Sequence, residues 1–170
     1  MSPLQIRHET PSDHARVYEI EEAAFGQADE ARLVEALRER AVPYVSLVAE
    51  SEGELVGHVM FSPVKIEGKG SDLSLAGLAP IAVAPSTQGK GVGSALVRAG
   101  FRDCLSLGWQ AVFLLGDPAY YCRFGFVMAA PQGLRYESEA YDVGFQMIEL
   151  VPGVLSGCSG WVRYHEAFSE

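Results

Sequence analysis

The chain is poor in cysteine, poor in positive charge and without a long apolar run. Its three cysteines, Cys104, Cys122 and Cys158, share no CxxC or Cys/His ligand spacing. That argues against a disulfide framework and a structural zinc site, so no metal is expected and a reducing cytosol is the expected home. Lys plus Arg number 13 against 22 Asp plus Glu, a net charge of −9. Nucleic-acid binding rests on neutralising phosphates with basic side chains, so no nucleic-acid partner is expected. The same charge mildly favours cationic small partners, although solubility is its commoner meaning. No apolar run approaches the roughly 18 residues of a spanning helix. The opening "MSPLQIRHET" lacks the basic-then-apolar pattern of a secretory signal. A soluble, cytoplasmic protein without a membrane partner is expected. At 170 residues the chain can bury one good core and is short for two, so a single domain over residues 1–170 is expected.

Hydrophobic periodicity orders the elements. "LQIRHE" alternates and reads as a strand. Thr10 to Asp13 form a helix-start cluster with Pro11 near the first helical position. Val17, Ile20 and Ala24 give that helix an apolar stripe, and it stops near Phe25-Gly26. "DEARLVEALRER" is a second helix with Leu33, Val34 and Leu37 on one face. From Tyr44 the period becomes that of strands: "YVSLVAE" and "ELVGHVMFSPVKI", joined as a hairpin across Ser51 to Gly53, then the longer "LSLAGLAPIAVAP". Gly91 to Leu107 reads as a helix closed by Gly108. "WQAVFLL" is a strand whose unbroken apolarity places it centrally. Asp117-Pro118 is an N-cap with proline in the first turn of a short helix through Tyr121 and Cys122. "FQMIELV" and "GWVRYHEAF" are the last two strands. The class is α/β, a mixed sheet covered by helices.

What is abundant is glycine in one turn, "VAPSTQGKGVGSALV", with Gly89, Gly91 and Gly93 at alternate positions. Glycine inside a regular element costs about 0.5–1 kcal/mol relative to alanine, so such a turn implies a sharp bend or a ligand touching bare backbone. A strand, a glycine turn and a helix start hold phosphate, because the first helical amides point outward and the helix dipole favours an anion. The spacing discriminates. A P-loop needs G-x-x-x-x-G-K followed by Ser or Thr; here Gly89-Lys90 is followed by Gly91 and Ala84 stands five before Gly89. The dinucleotide fingerprint G-x-G-x-x-G fails at its third glycine, where Ser94 or Leu96 stands.

What fits is Gln88-Gly89-Lys90-Gly91-Val92-Gly93, a full Q-x-x-G-x-G preceded by "IAVAP", with "YYCRFGF" further along supplying Tyr-x-x-x-Gly-Phe. On these motifs and the order of elements, most of the chain resembles the GNAT superfamily of acyl-CoA-dependent N-acyltransferases. The resemblance implies a mostly antiparallel central sheet of about seven strands flanked by helices and splayed around a coenzyme A cleft. It implies acetyl-CoA as co-substrate, with its pyrophosphate held by the Gln88, Gly89, Lys90, Gly91, Val92, Gly93 and Ser94 stretch. Pantetheine would pair with the main chain of Ile81, Ala82 and Val83, where an amide could also serve as oxyanion donor. Lys90 is either a point charge at the rim or a solvated loop lysine. Pro80 supports the splay, since proline within a strand removes a ladder donor and marks an edge or bulge.

The implied reaction is direct attack of a neutral amine on the thioester, expelling CoA thiolate. Tyr121, the tyrosine of the second motif, is the implied general acid, with Tyr120 a packing residue. Where the family often carries Asn near the end of the preceding strand, this chain has Gly116-Asp117-Pro118. Many members also carry Glu on the strand before the loop, but "LSLAGLAPIAV" has no carboxylate. His58 is therefore the candidate base, directly or through water, against the alternative of a buried or surface strand histidine. Glu21 and Glu22 are further candidates, against that of a solvated helix face. Cys122 reads as a small packed residue. The acceptor is expected to be a small-molecule or peptide amine lined by residues 25–30 and 134–144; a homodimer is open. A GNAT-fold module that binds acyl-CoA without catalysis is the alternative reading.

Overall fold

A computed structural model describes residues 3–170. They form two compact units, residues 3–62 with Ala79–Asp103 and Ala167–Glu170, and Pro63–Leu78 with Cys104–Glu166.

The first unit holds β1 (Gln5–His8), α1 (His14–Phe25), α2 (Asp29–Arg40), β2 (Val45–Ser51), the start of β3 (Glu54–Lys69), the end of β4 (Leu75–Val83) and most of α3 (Val92–Ser106). The turn into α1 is fixed by Asp13, whose carboxylate accepts the Thr10 N–H at 2.7 Å and both terminal nitrogens of Arg7 at 2.7 and 3.1 Å. Gly26, in the left-handed region at φ 71°, ends the helix where the sequence places its stop. β1, β2 and β3 are antiparallel, with Ile6 opposite Ala49 and Val48 opposite His58. Val17, Ile20, Val34 and Leu37 from the helices pack on Val48, Leu55 and Met60 from the strands. Gly100 lets α3 lie close on β3, because a Cβ there would fall on the Phe61 ring.

The second unit continues β3 and starts β4, then adds β5 (Ala111–Leu115), α4 (Pro118–Tyr121), β6 (Val127–Met128), β7 (Leu134–Arg135), β8 (Phe145–Glu149) and β9 (Ser159–Arg163). β5 runs parallel to β4, from Leu75 opposite Ala111 to Gly77 opposite Phe113, and antiparallel to β8. It is central, as its apolarity predicts, with Ala111 to Leu114 buried and Phe113 stacked on Phe145 at 5.7 Å.

The strands hydrogen-bond in the order β1-β2-β3-β4-β5-β8-β6, with β9 against β3 and β7. The result is the expected mixed, mostly antiparallel sheet. It has nine strands among the described residues: the two beyond the expected seven, β6 and β7, are two residues each. The last strand is also shorter than "GWVRYHEAF" implies. β9 stops at Arg163, and Glu166–Ser169 form a 3-10 turn.

Candidate active site

In the first unit, β4 ends at Val83, a 3-10 turn spans Pro85–Thr87, and α3 starts at Val92. Between them Gly89 and Gly91 take φ of 76° and 84°, which L side chains rarely adopt. The Gln88 side-chain amide donates to the Val83 carbonyl at 3.1 Å and ties the loop to the strand end. The Ala95 N–H donates to the Gly91 carbonyl at 3.1 Å, so the amides of Val92, Gly93 and Ser94 precede the first intrahelical bond. Gln88, Gly89, Lys90 and Gly91 are exposed. A Cβ added at Gly89 or Gly91 would meet nothing within 4 Å. Left-handed glycines, free space and outward amides at the end of a 15-residue helix suit a phosphate. Val92 itself is buried, its Cγ1 beside Gly57, and Ala82 belongs to the core. Only their main chain is available to a ligand.

The same unit brings His58, Glu21 and Ser46 together in its interior, though they are distant in sequence. His58 and Glu21 are both 0% exposed. His58 Nδ1 lies 2.6 Å from Glu21 Oε2, and Nε2 lies 2.8 Å from Ser46 Oγ. The Ser46 carbonyl accepts the Glu9 N–H at 3.1 Å, and the Glu9 carboxylate accepts from Arg38 Nε and a terminal nitrogen at 2.8 Å each. Burial works against ionisation of Glu9, but the Arg38 hydrogen bonds and charge hold its carboxyl below the usual range. Burial pushes Glu21 up, against the opposing pull of His58. This corrects the direct form of the base expectation, because a fully buried ring with both nitrogens engaged cannot touch an acceptor. Glu21 is likewise not a solvated helix residue, whereas Glu22 is exposed. Ser46 and Glu9 escaped the sequence reading. The available signal was a serine among the apolar residues at the start of β2, diagonal to the lone histidine of β3.

Tyr121 lies in the second unit at the end of α4, which Asp117 caps by accepting the Ala119 N–H at 2.9 Å. Its ring meets Tyr120 at 4.9 Å and Phe126 at 5.9 Å, both near perpendicular. Gly116 makes room for it: a Cβ there would stand 2.6 Å from Tyr121 Cε2. Burial, and then Tyr120, pushes the phenol up to about 12. Tyr120 instead carries the Arg123 guanidinium 4.1 Å over its ring. Cys122 is exposed, not packed, and its Sγ donates to the Ala119 carbonyl at 3.6 Å.

Residues 5–129 match the model of the acetyltransferase (GNAT) domain. The chain belongs to the GNAT family. YhbS of Escherichia coli K12, described as an uncharacterized N-acetyltransferase, is 39% identical over 168 residues, which cover 98% of this GNAT chain and 99% of that protein. The crystal structure of E. coli YhbS in complex with CoA superposes with a TM-score of 0.92 at 38% identity, covering 100% of this chain and 94% of that one. A Brucella melitensis GNAT family acetyltransferase in complex with acetyl-CoA gives 0.79 at 36% identity, with 99% of each chain covered. Among the described residues of this GNAT chain, no group of three or more His, Cys, Asp or Glu is placed to hold a metal. No helix there is long and apolar enough to cross a membrane.

Proposed function

We propose that the chain is an acetyl-CoA-dependent N-acetyltransferase that moves the acetyl group to an amine. The observation that carries this reading is the loop of residues 88–94, two left-handed glycines before unpaired helical amides, tied by Gln88 to the end of β4. Relatives similar over nearly the whole chain bind CoA or acetyl-CoA. The main-chain amides of Gly89 to Ser94 would hold the pyrophosphate, with Lys90 at the rim. The main chain of Ile81, Ala82 and Val83 would pair with pantetheine. When bound, acetyl-CoA supplies the activated acyl group as a thioester.

Tyr121 is the proposed acid. A phenol kept protonated by burial at neutral pH is a donor and not a base, which is what a departing thiolate requires. The acceptor is a small-molecule or peptide amine, cationic in solution, drawn by a protein of net charge −9. Calorimetry with CoA, followed by thiol release from acetyl-CoA across a panel of amines, tests the reading. CoA binding with thiol release from primary amines supports it. Binding without release from any amine favours the non-catalytic module, and release only with neutral or anionic acceptors overturns the cationic assignment.

A further inference from the structure

Folding leaves three large apolar side chains in water at one strand end of the second unit. Leu115, the last residue of β5, is 47% exposed, Val143 80% and Tyr141 39%. Single exposed apolar residues are ordinary on a protein surface, but these three adjoin. Leu115 Cδ1 lies 3.5 Å from where a Cβ would stand on Gly144, the residue after Val143. The Gly144 N–H in turn donates to the Tyr141 carbonyl at 3.1 Å.

The packing beneath them holds them out. Side chains alternate along a strand, so Leu115 shares the face of Ala111 and Phe113, both of the core. On that face Phe113 stacks on Phe145 at 5.7 Å, Phe145 on Tyr136 at 5.5 Å, and Tyr141 meets Tyr136 edge-on at 5.3 Å. The core thus runs to the surface as a row of rings with Tyr141 at its outer end. The turn that carries Val143 is pinned from two sides. Gly116 donates its N–H to the Gly144 carbonyl at 2.9 Å, and Asp142 accepts from Arg135 at 2.8 Å. A surface held this way is apolar and preformed before any ligand arrives.

Its place gives it a use. A Cβ on Gly116 would point at the Tyr121 ring and at Leu114 Cδ1, the face opposite to Leu115. Tyr121 and α4 therefore occupy one face of the strand end, and the apolar side chains head the other. An acceptor that reaches the group served by Tyr121 approaches over the face that α4 leaves open. Charge discriminates further. Asp142 and Glu139 are engaged by Arg135 at 2.8 and 3.8 Å, so a second ammonium laid on Leu115 and Val143 meets carboxylates already paired.

We propose that the patch of Leu115, Tyr141 and Val143 receives the apolar body of the acceptor, a monoamine with an alkyl or arylalkyl tail and not a polyamine. The inference rests on the acyl-transfer reading with Tyr121 as its acid. The tail lies along the patch, both surfaces shed water, and the amine is left at the Gly116 end.

The n-alkylamines from propylamine to hexylamine test this, because they share one ammonium group and differ only in apolar length. In thiol release from acetyl-CoA, kcat/KM is expected to rise about two- to fourfold per methylene. Pentane-1,5-diamine, similar in length to hexylamine but charged at both ends, is expected to be about tenfold poorer or worse. Leu115→Ser combined with Val143→Ser, both at exposed positions, is expected to flatten the series while the urea midpoint and the CoA dissociation constant hold. A flat wild-type series, a diamine as good as hexylamine, or a double variant that keeps the slope overturns the proposal. Methyl NMR with CoA present gives a readout that needs no turnover: hexylamine is expected to shift the Leu115 and Val143 methyl signals, and the diamine to leave them. Signals that move with protein concentration and not with hexylamine would mean that a second copy of the chain covers the patch, and the proposal fails. Absence of turnover with every amine removes the acyl-transfer reading, and the methyl titration then decides by itself whether the patch takes an apolar amine.

Discussion

The Tyr121 ring occupies the space that a side chain at Gly116 would need, with Cε2 only 2.6 Å from the position of a Cβ there. Gly116 is itself held, donating its N–H to the Gly144 carbonyl at 2.9 Å and accepting from Gln146 at 3.1 Å. The backbone cannot easily yield, so the ring must. Gly116→Ala is expected to displace Tyr121 and destabilise the protein by about 1–3 kcal/mol, the usual range for overpacking. Chemical denaturation and the near-ultraviolet tyrosine signal check this; an unchanged midpoint and spectrum would show that the ring is not wedged.

The phenol itself is tested by Tyr121→Phe, which keeps the ring and removes the hydroxyl. A positioned proton donor contributes about 10²–10⁴ in rate. It acts as the C–S bond breaks and therefore adds little to ground-state affinity. We expect kcat to fall about ten-fold or more while the CoA dissociation constant moves less than about three-fold. Tyr120→Phe, whose ring sits under Arg123, is the control and should leave kcat nearly intact. With the phenol held near 12, its ionisation should cause no loss of rate below about pH 11. A damaging Tyr120→Phe would reassign the acid to that residue.

At the glycine loop the space is open and the backbone is the constraint. Gly91 sits at φ 84° with no atom within 4 Å of a Cβ, so a side chain there projects into the region assigned to phosphate and strains the turn. Gly91→Val is expected to abolish CoA binding while the far-ultraviolet spectrum keeps its native form. Lys90→Ala is expected to weaken binding only modestly, because the amides make the main contact. Equal CoA affinity of wild type and Gly91→Val by calorimetry would remove the loop from the site.

Legibility followed local chemistry. Gly26 and Gly108 end their helices because both take positive φ, a requirement readable from residue type. The glycine loop was readable for the same reason. β6 and β7 were not, since two residues carry no period. β9 was overrun because the residues after Arg163 keep a strand-like composition while the backbone leaves the sheet. The buried network was half visible. Glu21 falls four residues after Val17 and one after Ile20, on the stripe that packs into the core, a spacing that points inward. A carboxylate at that position nevertheless favours solvent in the absence of a partner. Ser46 had no motif to announce it, and only the register of β2 on β3 brings it to His58.

Asp13 accepts from Arg7 and from the Thr10 backbone, and the Arg7 hydrogen bonds, opposed by burial, hold its carboxyl down at about 2. Arg7 is raised in turn by the same partner. A carboxyl whose folded value lies below its unfolded one, near about 3.9, stabilises the fold fully above that unfolded value. The contribution is lost as pH falls through the interval between the two. The shift corresponds to about 1–2 kcal/mol once the partial exposure of Arg7 is allowed for. Asp13→Asn should therefore be less stable than wild type at about pH 6 by that amount, and the gap should close as pH falls from about 4 to 2. Thermal or urea unfolding of both proteins across that range measures it. A gap that stays constant down to the lowest pH would mean that Asp13 acts through the geometry of the turn and not through its charge.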